Sequence, residues 1–164
     1  MTGPASSDKR DVRAAEILKL LLGFFPRVEA KLSLLLTLNV GMLGVLASSL
    51  RPVPRWDFGL IAPALAVALL GASFWNLYRA ALPQLMESDT KSLFYFRAIA
   101  EQDESSYIDA VLATDAKELE RDLARQTWRN AVILTGKFAR VDRAFRYTAI
   151  AAIPWAVWLA IRSA

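Results

Sequence analysis

The 164-residue sequence contains no cysteine and no histidine. Without cysteine there is no disulfide framework, no thiol nucleophile and no thiolate metal site. Without histidine, the commonest general base and the commonest zinc ligand are gone as well. No phosphate-cradling P-loop, dinucleotide fingerprint, GxSxG elbow or HExxH zinc motif appears. The acidic stretches ESDT and EQDESSYID are spaced as helix caps and solvated turns, not as an acid–base or metal pair. These absences argue against an enzyme, and neither a cofactor nor a metal is expected.

What the sequence has in excess is apolar surface. Hydrophobic residues make up 55% of it, and the mean hydropathy of +0.30 is high for a water-soluble domain. The net charge is +4, and the charges avoid the apolar runs. That distribution fits basic segments beside a membrane better than a nucleic-acid-binding surface, so no nucleic-acid partner is expected.

Residues 1–31 form a cytoplasmic N-terminal region. Met1–Ser7 is small and polar and reads as disordered. No cleavage-type signal is visible. Asp8–Phe25 reads as a helix whose apolar run ILKLLLGFF is too short to span a bilayer; packing on the other cytoplasmic helices is favoured over lying at the membrane surface. Residues 32–78 form a transmembrane hairpin. Its first span, about 32–50, is uncharged and flanked by Lys31 and Arg51; its second is about 58–78. Gly41, Gly44 and Ser48 give the first span a small-residue packing face, and for Asn39, a polar group at membrane depth, an interhelical hydrogen bond is favoured over a pore-lining role. The prolines of Arg51–Asp57, RPVPRWD, forbid a continuous helix between the spans.

Residues 79–146 form a cytoplasmic helical region. SLFYFRAIA reads as a short helix, and Ser105 or Ser106 is expected to cap a second one ending at Ala113. Thr114 or Asp115 is expected to cap the longest element, Asp115–Arg146. That helix is amphipathic, with Leu119, Leu123, Leu134, Val141 and Phe145 on one face and Lys117, Arg121, Arg125, Arg143 and Arg146 opposite. It runs into residues 147–164, where Tyr147–Ile161 forms a third, short span of roughly 22 Å against a hydrocarbon core of roughly 30 Å. Trp155 and Trp158 are expected to anchor it at one interface, and Pro154 to kink it. The fold class is therefore an all-α integral membrane protein with three spans. Counting Lys and Arg near the span ends gives eleven on the side of the N-terminus and central region against two, Arg51 and Arg55, in the turn between the first two spans. This places the N-terminus and the central region in the cytoplasm.

Two features of the long helix are candidate ligand sites. Gln126, Asn130 and Lys137 lie within the apolar stripe, where polar groups need partners. Spacing favours a structural role for them, paired with each other or with Glu29; the alternative is a pocket that reads a pyrimidine edge or a phosphate. On the other face, Arg125 and Arg129 flank Trp128. Glu118 and Asp122 are spaced to pair with Arg121 and Arg125, while Arg129 has no local acid. A solvated face drawn to anionic lipid headgroups is the favoured reading. The sharper one is a small anionic ligand, with arginine for phosphate and the indole for base stacking.

VEAKLSLLLTLNVGML entering the first span, SLFYFRAIA followed by SYIDAV, and LARQTWRNAVILTGKFARVDRAF leading into the last apolar segment together resemble the transmembrane effectors of the Pycsar anti-phage system. The resemblance covers most of the chain from Val28 onward. It implies a multi-pass protein of the bacterial inner membrane, in partnership with the lipid bilayer, that senses cyclic UMP or cyclic CMP made by a cognate cyclase on infection. The effector then impairs the membrane, and the cell dies before phage mature. A likeness of layout identifies no nucleotide contacts, so Gln126, Arg129, Asn130, Lys137, Arg125 and Trp128 stand as candidates on their chemistry alone. A homo-oligomer is expected. The competing class is a nonenzymatic membrane scaffold or regulatory subunit without a small-molecule ligand.

Overall fold

The computed structural model describes residues 4–49, 60–82, 92, 93 and 95–163, with side chains from Val12 onward except that of Phe96. Every regular element in that range is a helix: α1 (Pro4–Leu22), α2 (Phe25–Ser49), α3 (Ile61–Ala81), α4 (Phe96–Ala100), α5 (Glu104–Ala113) and α6 (Ala116–Ser163). The turn expected over Arg51–Asp57 and the acidic stretch ESDT lie outside the described residues. Three stretches are long and apolar enough to cross a membrane: Val12–Ser49, Ile61–Ala81 and Ala116–Ser163. The all-α class read from the sequence is the one observed, with three helices long and apolar enough to span.

The chain divides into two compact units. One combines residues 1–25 with 84–135, and the other combines 26–83 with 136–164. In the first, α1 begins at Pro4, so the disorder expected through Ser7 gives way to helix from that point. Proline suits the first position of a helix, where its missing N–H has no partner to lose. α1 ends in a turn at Gly23, whose N–H bonds to the Lys19 carbonyl at 3.1 Å. α5 is capped by Asp103, not by Ser105 or Ser106 as expected. The carboxylate accepts the Ser106 N–H at 3.0 Å and the hydroxyls of Ser105 at 2.7 Å and Ser106 at 2.6 Å. An aspartate offers two oxygens to three donors, and the serines become its partners instead of its rivals. These bonds, the Ser106 hydroxyl first, hold the Asp103 carboxyl well below the ordinary carboxylate range. Asp115 caps α6 in the same manner, accepting the Glu118 N–H at 2.7 Å.

The second unit is built from α2, α3 and the C-terminal part of α6. Met42, Leu46, Ala66, Leu70, Ala151 and Trp158 form its core. Small side chains matter here, because a membrane removes the hydrophobic drive between helices and leaves close packing and hydrogen bonds. Ala66, Ala144 and Ala151 are fully buried. Gly41 and Gly44 are not used this way: among the described residues no neighbouring atom comes within 4 Å of a Cβ placed at either. Ser48 is exposed, and its hydroxyl bonds to its own helix at the Val45 carbonyl.

α6 is a single helix of 48 residues that continues through Pro154. Proline deprives the Ile150 carbonyl of its helical donor, yet side-chain bonds just beyond it tie this part of α6 to α2. Trp155 Nε1 donates to the Met42 carbonyl at 3.0 Å, and Trp158 Nε1 donates to Ser49 Oγ at 2.7 Å. The two indoles therefore face inward, with Trp158 buried, and do not form the interfacial anchor expected from composition. Trp75 and Tyr78 are the exposed aromatic pair, their ring centroids 5.9 Å apart. Phe145, assigned to the apolar face of the long helix, is 58% exposed. Such a side chain is at home against lipid, so periodicity alone does not distinguish a core face from a lipid face.

Candidate functional site

In the membrane unit, three polar side chains meet at the level of Asn39. Asn39 Nδ2 donates to Ser73 Oγ at 2.7 Å, and Thr148 Oγ1 donates to Asn39 Oδ1 at 2.8 Å. The two hydroxyl oxygens are 2.9 Å apart, which closes a three-membered ring of side chains from α2, α3 and α6. The Ala144 carbonyl, 3.0 Å from each hydroxyl, offers a second acceptor. All three residues are buried. No buried side-chain nitrogen or oxygen among the described residues lacks a partner, as a site away from water requires. The partners of Asn39 were not legible beforehand, since serine and threonine in a span are ordinary packing residues.

Lys137 belongs to the same unit, where its Nζ is 3.4 Å from Glu29 Oε1 and its side chain is only 13% exposed. Glu29 is 60% exposed, so solvent screens the pair and its contribution to stability is small.

Gln126 lies in the other unit, buried, with Nε2 at 3.5 Å from Ser92 Oγ. Ser92 is the hub of a latch absent from the sequence-based expectations. Its hydroxyl contacts both oxygens of Asp122, at 3.0 and 2.9 Å, and accepts the Tyr95 N–H at 3.2 Å. Asp122 also accepts the Leu93 N–H at 2.9 Å, and the Tyr107 hydroxyl reaches the Leu93 carbonyl at 3.3 Å. The segment leading into α4 is thereby tied to α6 and α5. Asp122 was assigned to Arg125 by helical spacing. A backbone N–H and a buried hydroxyl claim it instead, so among the described residues no ion pair forms between them.

The opposite face of α6 is open. Lys117, Arg121, Arg125, Trp128 and Val132 follow at intervals of three and four residues, and all are exposed. Trp128 is 62% exposed and Val132 41%. Among the described residues, Lys117, Arg121 and Arg125 make no ion pair or hydrogen bond. Arg129 differs: it is half-buried and engaged within the chain. Asn130 is half-buried. The six candidates thus fall into groups. Gln126, Arg129 and Lys137 hold internal partners, whereas Arg125 and Trp128 are presented together, joined by Arg121. Two forked guanidinium groups one turn apart beside an exposed indole can grip a phosphate and stack on a planar base.

The PycTM family, described as the Pycsar effector protein domain, matches residues 13–162. No curated protein and no solved structure gives a significant match.

Proposed function

Because the chain belongs to the PycTM family of Pycsar effectors, we propose that it senses a cyclic pyrimidine mononucleotide, cUMP or cCMP, and responds by impairing the inner membrane, so that an infected cell dies before phage mature. The family match over nearly the whole chain carries this reading, and the chemistry of α6 supports it. A cyclic mononucleotide presents one phosphodiester anion and one flat base, and Arg121, Arg125 and Trp128 offer donors and a ring for both. The protein supplies no catalytic step; it binds and changes state.

In this reading, the signal acts by preferring one arrangement of the helices over another. α6 contributes residues to both compact units without a break in its helix. The ring of Asn39, Ser73 and Thr148 is where a change in α6 would be felt among the spans. The N-terminus and the central helices lie in the cytoplasm, where the cyclase product accumulates, as the excess of basic residues near those span ends favours.

Cells expressing the protein should lose membrane potential when cUMP or cCMP is supplied. Cells that stay polarised with either nucleotide would refute the reading. With purified protein, Arg125→Ala and Trp128→Ala should each weaken nucleotide binding by about 10- to 100-fold, the worth of a charge-assisted hydrogen bond or a stacked base. Asn130→Ala should change it little. The scaffold alternative draws support from the internal partners of Gln126 and Lys137. It predicts no nucleotide binding at all.

A further inference from the structure

α5 exposes an apolar face with acidic company. Ile108, Val111 and Leu112 are 46%, 42% and 79% exposed. At 100° per residue Glu104 falls among them and Asp109 flanks them, and both acids are exposed. Among the described residues neither carboxylate makes an ion pair. α6 exposes the opposite combination: Lys117, Arg121 and Arg125, without an ion pair among the described residues, leading to Trp128 and Val132. Each face would leave a water-exposed apolar patch beside uncompensated charge, and each has what the other lacks.

The order along the two helices also matches. From the N-terminal end, α5 presents Glu104, then Asp109, then Val111 and Leu112. α6 presents Arg121, then Arg125, then Trp128. Glu104 to Asp109 is roughly 7.5 Å of helix and Arg121 to Arg125 roughly 6 Å; Glu104 to Leu112 is roughly 12 Å and Arg121 to Trp128 roughly 10.5 Å. A parallel alignment therefore puts acid against base and Leu112 against the indole at the same time.

We propose that copies of this chain associate head to tail, with the acidic–apolar face of α5 on one copy docked along the basic–apolar face of α6 on the next. The contact is heterologous: each copy gives one face and receives the other. It generates a closed ring, or an open row if the rotation does not close. Helix pairing of this kind places an aromatic anchor at the centre, with charges setting partner and register. The inference stands on these two surfaces alone and does not need a nucleotide.

The absence of cysteine makes the test clean. Two differently tagged full-length chains, Leu112→Cys and Val132→Cys, are co-expressed, and membranes are treated with a short bis-maleimide. The expected product is the mixed dimer, with each chain alone giving little. Equal cross-linking of either chain with itself would mean that like faces meet and would overturn the proposal, as would no product in any combination. Charge reversal provides the second arm, read by cross-linking on lysines outside the two faces. Arg121→Glu with Arg125→Glu, and separately Glu104→Lys with Asp109→Lys, should each abolish self-association. Mixing the two reversed chains should restore it, because each then meets a complementary face. If mixing restores nothing while both variants keep their helical circular dichroism, the faces do not meet. If the arginine reversal alters only flotation with anionic vesicles, the α6 face serves lipid and the proposal fails.

Discussion

Thr148 has one hydroxyl proton, and among the described residues its hydroxyl is the one donor to Asn39 Oδ1. Replacing it with valine keeps the shape and leaves that amide oxygen buried in the membrane unit without a partner. Removing the asparagine instead leaves no orphan, because Ser73 and Thr148 can both turn to the Ala144 carbonyl, 3.0 Å from each. Thr148→Val should therefore destabilise by about 1–3 kcal/mol, the desolvation cost of an unsatisfied polar group. Asn39→Leu should cost well under half of that, in keeping with the modest net worth of interhelical hydrogen bonds in membranes, about 0.6 kcal/mol on average. Equilibrium unfolding in mixed micelles would compare the two. Equal losses would mean that the ring acts through packing, not through hydrogen-bond satisfaction.

At the scale of an element, α5 is secured from its N-terminal end. Asp103 accepts the Ser106 N–H and two serine hydroxyls best when it is ionised, because protonation turns one of its two acceptor oxygens into a donor. Its carboxyl lies well below the ordinary range in the folded chain, chiefly through the Ser106 hydroxyl, while an unfolded aspartate titrates near about 3.9. A depressed folded value means the cap stabilises fully above the unfolded value and is lost as pH falls below it toward the folded one. Acidification below about pH 4 should raise amide exchange across α5 before it affects α6, whose residues beyond the first turns rest on packing. Asp103→Asn should flatten that pH dependence, since an amide caps without titrating. α5 also shows what a sequence conceals. Its extent to Ala113 is legible from apolar spacing and polar flanks, but choosing among Asp103, Ser105 and Ser106 requires knowing which side chain has the most donors in reach. The same holds for Asp122: helical spacing nominates Arg125, and only the fold brings Ser92 and the Leu93 N–H close enough to take it.

Over the whole molecule, legibility follows the range of the forces involved. Length, hydropathy and charge asymmetry suffice for three long apolar helices because the bilayer imposes one thickness on every span. They do not say which face of a span meets protein and which meets lipid. Gly41 and Gly44 therefore look like packing positions while the close approaches are made at Ala66, Ala144 and Ala151. The candidate site divides along the same line. The chemistry of Arg125 and Trp128 is plain in the sequence, whereas the engagement of Gln126 and Lys137 depends on contacts 34 and 108 residues away. The basic face of α6 has two proposed occupants, a nucleotide phosphate and the carboxylates of a neighbouring α5, and both require Arg121 and Arg125. One guanidinium pair does not hold both, so the two events must oppose each other through this face, each lowering the other's affinity by the same factor. Adding cUMP or cCMP should then lower the yield of the mixed Leu112→Cys and Val132→Cys dimer, saturating with the nucleotide's own binding curve. The reciprocal measurement is nucleotide affinity in the Arg121-intact, assembly-deficient chain Glu104→Lys with Asp109→Lys, which should exceed that of the unaltered protein. If the yield is unchanged at nucleotide concentrations that depolarise cells, the nucleotide binds elsewhere and the assembly contact stands without it. If the nucleotide neither binds nor depolarises, the sensing role falls, and the head-to-tail contact remains to be judged by its own cross-links.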